Sequence, residues 1–481
     1  MIYIVYAHLS SVLVALYALV QVIAALFALR AIRTARTPQG AIGWVVFLIA
    51  APHFAVPVFL FLGHRRYPGY VAARRAMAGI VDTLRAQAAN HAPRPPAGDP
   101  GVERSRIAGF ERLAEVPLVS GNGTKLLIDG EQTFDALFAA IEAAEHYVLV
   151  EAYIIRDDAV GQALAARLKA KARAGLRVCL LYDALGSNGL PNSYLDSLRA
   201  EGVEAYNSHA LRHTRSRLQI NFRNHRKIAV IDGQTGFVGG LNFGEEYLGR
   251  DPNMGPWRDT HLRIDGPAVA QLQLAFAEDW LWASGAKLDD LDWAPRVAPG
   301  DRNALVLATG PSDLFETGSL YFCNAIEAAR ERIWIASPYF VPDADILTAL
   351  KLAALRGVDV RLLVPEKADH LLVWLAAYAY FDEVRTAGVR LYRYAPGFLH
   401  QKVLLVDDDM ASVGTHNLDN RSCRLNFEIS ALIFDKAFAE EVAAMLQRDL
   451  GAAPEFTARL SEQGLWIRTA APVARLFAPV L

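Results

Sequence analysis

Cysteine is scarce in this chain, which contains only Cys179, Cys323 and Cys423 among its 481 residues. The three lie far apart, in odd number and without the spacing of a metal-ligand cluster, so we expect no disulfide framework. Reduced thiols are typical of a folded part that faces the cytosol. Net charge is also nearly absent, because the formal value of −2 gives no global reason for a polyanionic partner, and we expect no nucleic acid.

The first 102 residues lack lysine and have only two acidic residues, but they contain nine arginines. Their net charge is therefore +7, against −9 for the rest of the chain. Two mostly apolar runs lie here, Ile2–Leu29 and Ile42–Leu62, and each reaches the roughly 20 residues of a membrane-spanning helix. No basic segment precedes the first run, which is also too long for a cleaved signal peptide. The pattern predicts a two-segment anchor over residues 1–66 in a membrane with anionic lipid; a buried helical hairpin is the alternative.

The orientation of this anchor follows only weakly from charge. Three arginines precede the second run and four follow it, which barely separates the two orientations under the positive-inside rule. The free cysteines favour a cytoplasmic catalytic part, and Pro52 and Pro57 also permit a kinked or re-entrant second segment. Over residues 67–115 we expect a basic amphipathic stretch, Val71–Ala89, followed by a proline-rich linker, Ala92–Gly101.

Beyond residue 116, short apolar runs alternate with helix-like stretches in two halves, 116–298 and 299–481. Each half has a predicted strand, helix and strand: Tyr147–Ile155, Gly161–Ala174 and Arg177–Tyr182, then Ile333–Ala336, Asp345–Arg356 and Asp359–Val364. This alternation predicts an α/β fold with a largely parallel, buried sheet.

An internal repeat contains the candidate chemistry. The pattern H-x-K-x4-D occurs twice, as His225, Lys227 and Asp232 and as His400, Lys402 and Asp407. A glycine-containing turn and an asparagine follow each copy, Asn242 and Asn417, and the two asparagines are separated by the same offset as the two histidines. Asp259 and Glu428 come next at a slightly shorter offset, which indicates an inserted loop near Gly249–Gly255. One match would fit an ordinary half-buried strand, but two at a constant offset do not.

The spacing of the repeat suits phosphodiester chemistry. In a strand, residues two apart point to the same face, so each histidine projects together with its lysine. A histidine can attack phosphorus or protonate a leaving oxygen, and a lysine and an asparagine can bind the non-bridging oxygens. Two facing half-sites therefore predict a nucleophile and a general acid, without a metal or another cofactor. Asp232 and Asp407, at the ends of apolar strands, fit a structural hydrogen bond better than contact with substrate.

At these residues the chain resembles the phospholipase D superfamily, and its finer pattern is similar to bacterial cardiolipin synthases. The similarity is carried by NHRK, FVGGLN, WRDTHLR, SPYFVPD and GTHNLDNRS, at 224–227, 237–242, 257–263, 337–343 and 414–422. The resemblance implies two α/β halves around a pseudo-two-fold axis, preceded by a transmembrane helical hairpin. It also implies a multi-pass protein of the bacterial inner membrane.

The resemblance further implies a reaction and its residues. Position by position, it places six residues in the active site: His225, Lys227, Asp232, His400, Lys402 and Asp407. The implied reaction transfers a phosphatidyl group from one phosphatidylglycerol to another through a phosphohistidine on His225, with His400 as general acid and base. Gly240 and Thr415 stand where many members have serine, which leaves Thr415 as the hydroxyl that could contact substrate.

We also predict that a carboxylate holds the second nitrogen of each imidazole, Glu428 for His400 and Asp259 for His225. Three rival functions stay open: a phospholipase D that uses water, a nuclease of the same superfamily, and a non-catalytic lipid-binding membrane protein. The motifs do not separate transferase from hydrolase. The membrane segments and the −9 charge argue against a nuclease, and two intact half-sites argue against a decayed enzyme. The oligomeric state is left open.

Overall fold

The computed structural model describes residues 2–35, 37–63, 68–88, 100–208, 221–294 and 300–481. The chain divides into an N-terminal unit, which comprises the residues up to Tyr70 together with Asn221 and Phe222, and a much larger second unit that begins at Val71. The predicted linker lies outside the described residues except for its last two, Pro100 and Gly101, which begin a helix.

The N-terminal unit contains the apolar helices α1 (Ile2–Thr34), α2 (Pro38–Ala50) and α3 (Pro52–Leu62). Small residues at helical spacing on α1, namely Ala24, Ala28 and Ala31, belong to one buried cluster with Leu48 of α2 and Phe59 of α3. Small side chains let helix backbones approach closely, which favours this packing.

Within the described residues, α1 alone is long and apolar enough to cross a membrane, over Ser11–Thr34. The second apolar run is divided at Ala51 into helices of 13 and 11 residues, each shorter than the roughly 20 residues of a span. Pro52 begins the second of them, since proline is tolerated in the first turn of a helix. The transmembrane hairpin therefore stays a prediction.

The predicted amphipathic stretch corresponds, up to Ala88, to α4 (Pro68–Ala76) and α5 (Ala78–Ala88), which α6 (Pro100–Ala114) follows. Met77, between the first two, and Leu84 of α5 belong to the main core of the second unit, as does Phe110 of α6. Helices α5 and α6 therefore pack on the catalytic part by their apolar side chains.

The first half contains the strands β1 (Val119–Ile128), β2 (Tyr147–Ala152), β3 (Arg177–Tyr182), β4 (Glu204–Asn207), β5 (Arg223–Asn224), β6 (Ile228–Ile231), β7 (Thr235–Gly239), β8 (Trp257–Arg258) and β9 (Thr260–Asp265). Its helices are α7 (Asp129–Ala143), α8 (Ala159–Arg173), α9 (Asn192–Ala200) and α10 (Val269–Ser284). The predicted strands and helix of this half are present at β2, α8 and β3.

The second half contains the strands β10 (Arg302–Thr309), β11 (Arg332–Ala336), β12 (Phe340–Val341), β13 (Asp359–Pro365), β14 (Arg390–Tyr394), β15 (Phe398–Leu399), β16 (Val403–Val406), β17 (Met410–Gly414), β18 (Leu418–Asp419) and β19 (Asn426–Phe434). Its helices are α11 (Thr317–Ala328), α12 (Ala344–Leu355), α13 (Leu371–Thr386), α14 (Asn420–Arg424), α15 (Lys436–Gly451) and α16 (Leu465–Arg475). The predicted elements are present at β11, α12 and β13.

One sheet runs through both halves in the order β14-β13-β11-β16-β17-β19-β10-β1-β9-β7-β6-β2-β3-β4, and antiparallel pairing of β1 with β10 joins them. Neighbours are parallel at the two ends, in β2-β3-β4 and β11-β13-β14, and antiparallel between them. The expectation of a largely parallel sheet is therefore wrong. Strands β6 and β7 are joined by a short turn, which suits antiparallel pairing, whereas parallel pairs need long crossovers.

Strand β2 shows how the sheet is covered on both faces. Val148 and Val150 pack in a cluster with Leu164 of α8, whereas Leu149 packs in a second cluster with Trp280 of α10. Alternate residues of a strand point to opposite faces, so a strand with helices on both sides is apolar throughout. This burial explains the continuous apolar sequence from which the strand was predicted.

Candidate active site

Two short strand pairs bring the repeated motifs together. β5 pairs with the start of β19, and the N–H of His225 donates to the carbonyl oxygen of Phe427 at 2.9 Å. β15 pairs with β8, and the N–H of His400 donates to the carbonyl oxygen of Arg258 at 2.8 Å. Each histidine therefore lies beside a strand of the other half. The carboxylate that the histidine contacts lies in that strand or directly after it.

The imidazole–carboxylate pairs consequently cross between the halves. His225 Nδ1 lies 2.8 Å from Glu428 Oε2, and His400 Nδ1 lies 2.7 Å from Asp259 Oδ2. The predicted pairing within each half is wrong, although the same two carboxylates are involved. We call His225, Lys227 and Glu428 the Glu428 half-site, and His400, Lys402 and Asp259 the Asp259 half-site.

The protonation of these pairs follows from burial and charge. Burial is the largest cause that lowers the pKa of His225 and of His400 to about 4. The carboxylates Glu428 and Asp259 raise these pKa values and the neighbouring lysines lower them, but neither effect outweighs burial. Burial alone would raise the pKa of Glu428, but His225, His416 and Lys227 bring it down to about 2. Asp259 also has a lowered pKa, since Lys402 and His400 outweigh its burial. The free site thus favours neutral imidazoles whose Nδ1–H groups donate to ionised carboxylates.

The two lysines lie close enough to affect each other. Burial and then the charge of Lys402 lower the pKa of Lys227 to about 7, whereas burial lowers that of Lys402 to about 8. Lys227 Nζ donates to the carbonyl oxygen of His225 at 2.8 Å. Lys402 Nζ donates to the carbonyl oxygen of His400 and lies 2.8 and 2.9 Å from the ring atoms Nδ1 and Nε2 of the same residue. A phosphate between these cations would stabilise their charged forms.

Three side chains hold Glu428 in place. The hydroxyls of Thr415 and Ser422 donate to its carboxylate at 2.5 and 2.7 Å, and the amide of Asn426 donates at 3.0 Å. The predicted role of Thr415 as a donor to substrate does not fit, because its hydroxyl is directed at Glu428. The repeat did not identify Ser422 and Asn426, because the residues at the corresponding positions of the first half are of other types; Trp257 stands at the position of Asn426.

Asp259 is held differently. Its carboxylate accepts the backbone N–H of Thr260 at 2.8 Å and the indole N–H of Trp257 at 3.4 Å. A Cβ on Gly240 would lie only 2.0 Å from Asp259 Oδ1. The position at which Gly240 replaces a common serine therefore has to lack a side chain for Asp259 to reach His400.

The two predicted substrate-binding asparagines are buried in the protein. Asn242 accepts the N–H of Ile154 at 3.1 Å and donates to the hydroxyl of Tyr247 at 2.8 Å, so its amide is already used. Tyr247 in turn lies beside the ring of His400, at 6.3 Å between centroids. The side-chain oxygen of Asn417 has no hydrogen-bond partner among the described residues. Of the two, Asn417 keeps an acceptor that another group could use.

Asp232 and Asp407 end the strands that begin near the histidines. Asp232 accepts backbone N–H groups from residues 145–147 at 2.8 Å, and Asp407 accepts them from residues 330–332 at 2.8–3.2 Å. Each lies seven residues beyond its histidine, roughly 20 Å along an extended chain. Both have positive φ, 53° and 51°, as expected where a strand turns sharply. They anchor strand ends, which corrects their inclusion among the catalytic residues.

The middle residue of each H-x-K motif is turned away from the reacting groups and forms hydrogen bonds to a buried aspartate. Arg226 donates to Asp279 of α10 at 2.7 Å and to the carbonyl oxygen of Glu428 at 3.2 Å. Gln401 donates to Asp449 of α15 at 2.9 Å. The sequence interpretation missed both aspartates, although their separation along the chain is close to that of the two carboxylates.

The chain is similar to known proteins over most of its length. A family model described as "Cardiolipin synthase, PLD-like domain" matches residues 137–280 and 322–450. "Cardiolipin synthase A" of Pseudomonas entomophila is 46% identical over 455 residues, which cover 92% of this chain and 93% of the relative. The protein of the same name from Pseudomonas aeruginosa is 44% identical and covers 92% and 91%.

A solved structure resembles the fold. The phosphatidylserine synthase of Haemophilus influenzae superimposes with a TM-score of 0.60, over 78% of this chain and all of that chain, at 14% sequence identity. This likeness extends across both halves of the catalytic part, which the single sheet joins.

Proposed function

This chain belongs to the cardiolipin synthase family of phospholipase D-like proteins, and we propose that it is a phosphatidyltransferase that joins two phosphatidylglycerol molecules into cardiolipin and releases glycerol. The observation that carries the proposal is the pair of buried half-sites, each with a histidine, a lysine and a carboxylate from the opposite half. Two imidazoles can divide one difficult exchange into two easier displacements.

In the first displacement, Nε2 of His225 attacks the phosphorus of one phosphatidylglycerol. The bond from phosphorus to the glycerol headgroup oxygen breaks, and His400 donates a proton to that oxygen. Two features support this division of roles. Among the described residues, Nε2 of His225 has no hydrogen-bond partner, whereas the ammonium of Lys402 lies 2.8 and 2.9 Å from the two ring nitrogens of His400. A bound phosphate anion would also favour the protonated form of His400, because opposite charge raises the pKa of a base.

In the second displacement, the terminal hydroxyl of another phosphatidylglycerol attacks the phosphohistidine. His400 accepts the hydroxyl proton, the bond from His225 to phosphorus breaks, and cardiolipin leaves with both imidazoles restored. Lys227 and Lys402 compensate the charge on the non-bridging oxygens in both steps. Because these lysines supply positive charge directly, we expect a chelator to leave the glycerol yield unchanged.

The organisation of the chain is part of the proposal. We place α1 across the bacterial inner membrane, with the apolar helices α2 and α3 as a second, broken membrane segment and the catalytic part in the cytoplasm. The cluster of α1 with α2 and α3 and the absence of disulfides among the three cysteines support this arrangement. The equivalent strand orders on either side of the β1–β10 pair support two pseudo-symmetric halves, 116–298 and 299–481.

Incubation of the purified full-length protein with phosphatidylglycerol as the only lipid tests the function. We expect glycerol and cardiolipin in equal molar amounts, and neither from the His225→Ala variant. Glycerol with phosphatidic acid instead of cardiolipin would identify a phospholipase D that uses water. No product with intact binding of phosphatidylglycerol vesicles would identify a non-catalytic lipid-binding protein.

A further inference from the structure

The C-terminal segment leaves large apolar side chains in solvent. Helix α16 buries the small residues Ala471 and Ala474 in the main core. Five large apolar residues of the same segment stay exposed: Leu465 (74%), Trp466 (65%), Val473 (56%), Leu476 (78%) and Phe477 (49%). A helix that is apolar on its outer as well as its inner face indicates a second apolar environment.

The charge of this segment points to the nature of that environment. No acidic side chain occurs from Gln463 to Leu481, whereas Arg468 and Arg475 are exposed on α16, the latter with an ion pair to Glu383 of α13 at 3.6 Å. Tryptophan, leucine and arginine together are typical of helices that lie in the interface of a membrane with anionic lipid. An isologous contact between two copies would instead bring the arginines of both copies together.

We propose that the outer face of α16, with Leu476 and Phe477, docks into the interface of a bilayer that contains anionic phospholipid. This surface, which we call the C-terminal face, acts in addition to the N-terminal apolar helix. The proposal concerns membrane contact and does not depend on which reaction the site performs.

The C-terminal face is connected to the active site through α14. The N–H of Arg421 donates to the carbonyl oxygen of Leu481 at 2.7 Å, and its guanidinium donates to that of Val480 at 3.3 Å. The next residue of α14, Ser422, donates to Glu428. Docking of the C-terminal face therefore holds the element that supports Glu428 at the lipid surface, where the substrates lie.

An environment-sensitive fluorophore on residue 476 tests the contact directly. The full-length protein with Cys323→Ser and Leu476→Cys would be labelled and inserted into nanodiscs, with Cys179 and Cys423 buried and unlabelled. Leu355 of α12, also highly exposed, provides a matched control position. We expect nitroxide lipids to quench the label at residue 476. This quenching should be stronger in nanodiscs that contain phosphatidylglycerol than in nanodiscs of phosphatidylcholine alone. Aqueous iodide should quench the label at residue 355.

Two outcomes of this experiment would overturn the proposal. Equal quenching of both labels by iodide would mean that the C-terminal face stays in water. Protection of residue 476 from iodide without quenching by nitroxide lipids would mean that protein covers it, from a second copy or from the N-terminal unit.

Kinetics provide an independent readout. We expect the triple variant Trp466→Ser, Leu476→Ser and Phe477→Ser to lose about tenfold in kcat/KM in nanodiscs with little phosphatidylglycerol, because three apolar anchors are removed. Its activity in detergent mixed micelles should be unchanged. The control variant Leu352→Ser and Leu355→Ser, on exposed positions of α12, should be unaffected in both systems. Equal loss in nanodiscs and micelles would contradict a role in docking.

Discussion

The Glu428 half-site and the Asp259 half-site reach the same imidazole–carboxylate geometry with different supporting groups. Glu428 is held by two hydroxyls and an amide from the second half, all side chains. Asp259, one carbon shorter, is held by a backbone N–H and an indole, and it needs the close approach that Gly240 allows. A repeated site can therefore keep the same reacting atoms while the groups that hold its carboxylates change.

The lysines of the two half-sites differ as well. Each lysine donates to the backbone carbonyl oxygen of its own histidine, but only the ammonium of Lys402 also lies within 2.9 Å of the ring nitrogens of that histidine. We therefore expect the half-sites to play unequal parts in the reaction, with the imidazole of His225 free to attack.

The largest expected effect is loss of either histidine. His225→Ala and His400→Ala should each reduce cardiolipin formation by roughly 10⁴-fold, because each displacement needs both groups. The variants should separate on a phosphatidyl p-nitrophenyl ester, whose leaving group needs no proton. With it, His400→Ala should still form labelled phosphohistidine and His225→Ala should form none, as measured by acid-free quench and peptide mapping. Label on His400 in the unaltered protein would reverse the roles, and absence of label on both would indicate direct displacement.

The next effect concerns the carboxylates. Glu428→Gln should lower kcat by roughly 10³-fold and Asp259→Asn by roughly 10²-fold, because an uncharged partner no longer favours the imidazolium or its tautomer. The Glu428 change should cost more, since the NH2 group of the glutamine would face a donor in either orientation, Thr415 on one side or Ser422 and Asn426 on the other. Exposed Glu440→Gln on α15 serves as the control. Equal losses in the two variants would contradict the inequality of the half-sites.

Much of this site could be predicted because the repeat places equivalent residues at a constant offset. Both histidines, both lysines and both carboxylates could be identified in this way. The crossed pairing could not, because it depends on β5 meeting β19 and β8 meeting β15, contacts between segments of different halves that are distant along the chain. A repeat shows which residues correspond, but it does not show which half each one contacts.

The fold was predicted to a similar extent. Strands β2, β3, β11 and β13 and helices α8 and α12 lie within a few residues of their predicted positions. The direction of pairing in the sheet was missed, because strands such as β6 and β7 are also short and apolar, and composition does not distinguish parallel from antiparallel neighbours. The supporting residues Ser422 and Asn426 were missed because the corresponding positions of the first half have other residue types, such as Trp257 at the position of Asn426.

A smaller effect should appear in the pH dependence. Burial and Lys402 lower the pKa of Lys227 to about 7, and burial lowers that of Lys402 to about 8. The protonated lysines bind the phosphate anion, so kcat/KM should fall as pH rises through these values, by at least about tenfold between pH 7 and pH 9. The fall in kcat should be weaker, because bound phosphate raises both pKa values. A kcat/KM that stays constant over this range would show that the lysines keep their charge in the free protein.

Gly240→Ala probes the support of the Asp259 half-site. The added methyl group would meet Asp259 Oδ1 at 2.0 Å, so the carboxylate must move away from His400. We expect about a tenfold loss of kcat, with roughly 1–3 kcal/mol less stability from the crowding. Gly79→Ala on α5, where nothing lies within 4 Å of the added atom, should leave activity unchanged. Normal activity of Gly240→Ala would mean that Asp259 can support His400 from another position.

The smallest effect is expected for substitution of Thr415. This substitution tests whether the Thr415 hydroxyl positions Glu428 or only stabilises the fold. Thr415→Val removes the hydroxyl that donates to Glu428 and also accepts the N–H of Ile429 at 2.9 Å. Loss of a buried hydrogen bond to a charged group costs roughly 1.5–3 kcal/mol, and we expect about a fivefold fall in kcat with little change in KM. With one donor fewer, the Glu428 carboxylate should interact more strongly with the imidazolium of His225 and raise the pKa of that histidine above its value of about 4, so the acid limb of the kcat profile should move to higher pH. Thr415→Ser keeps the hydroxyl and should restore both kcat and the acid limb. Equal rate profiles for Thr415→Val and Thr415→Ser would show that the hydroxyl stabilises the fold without positioning Glu428.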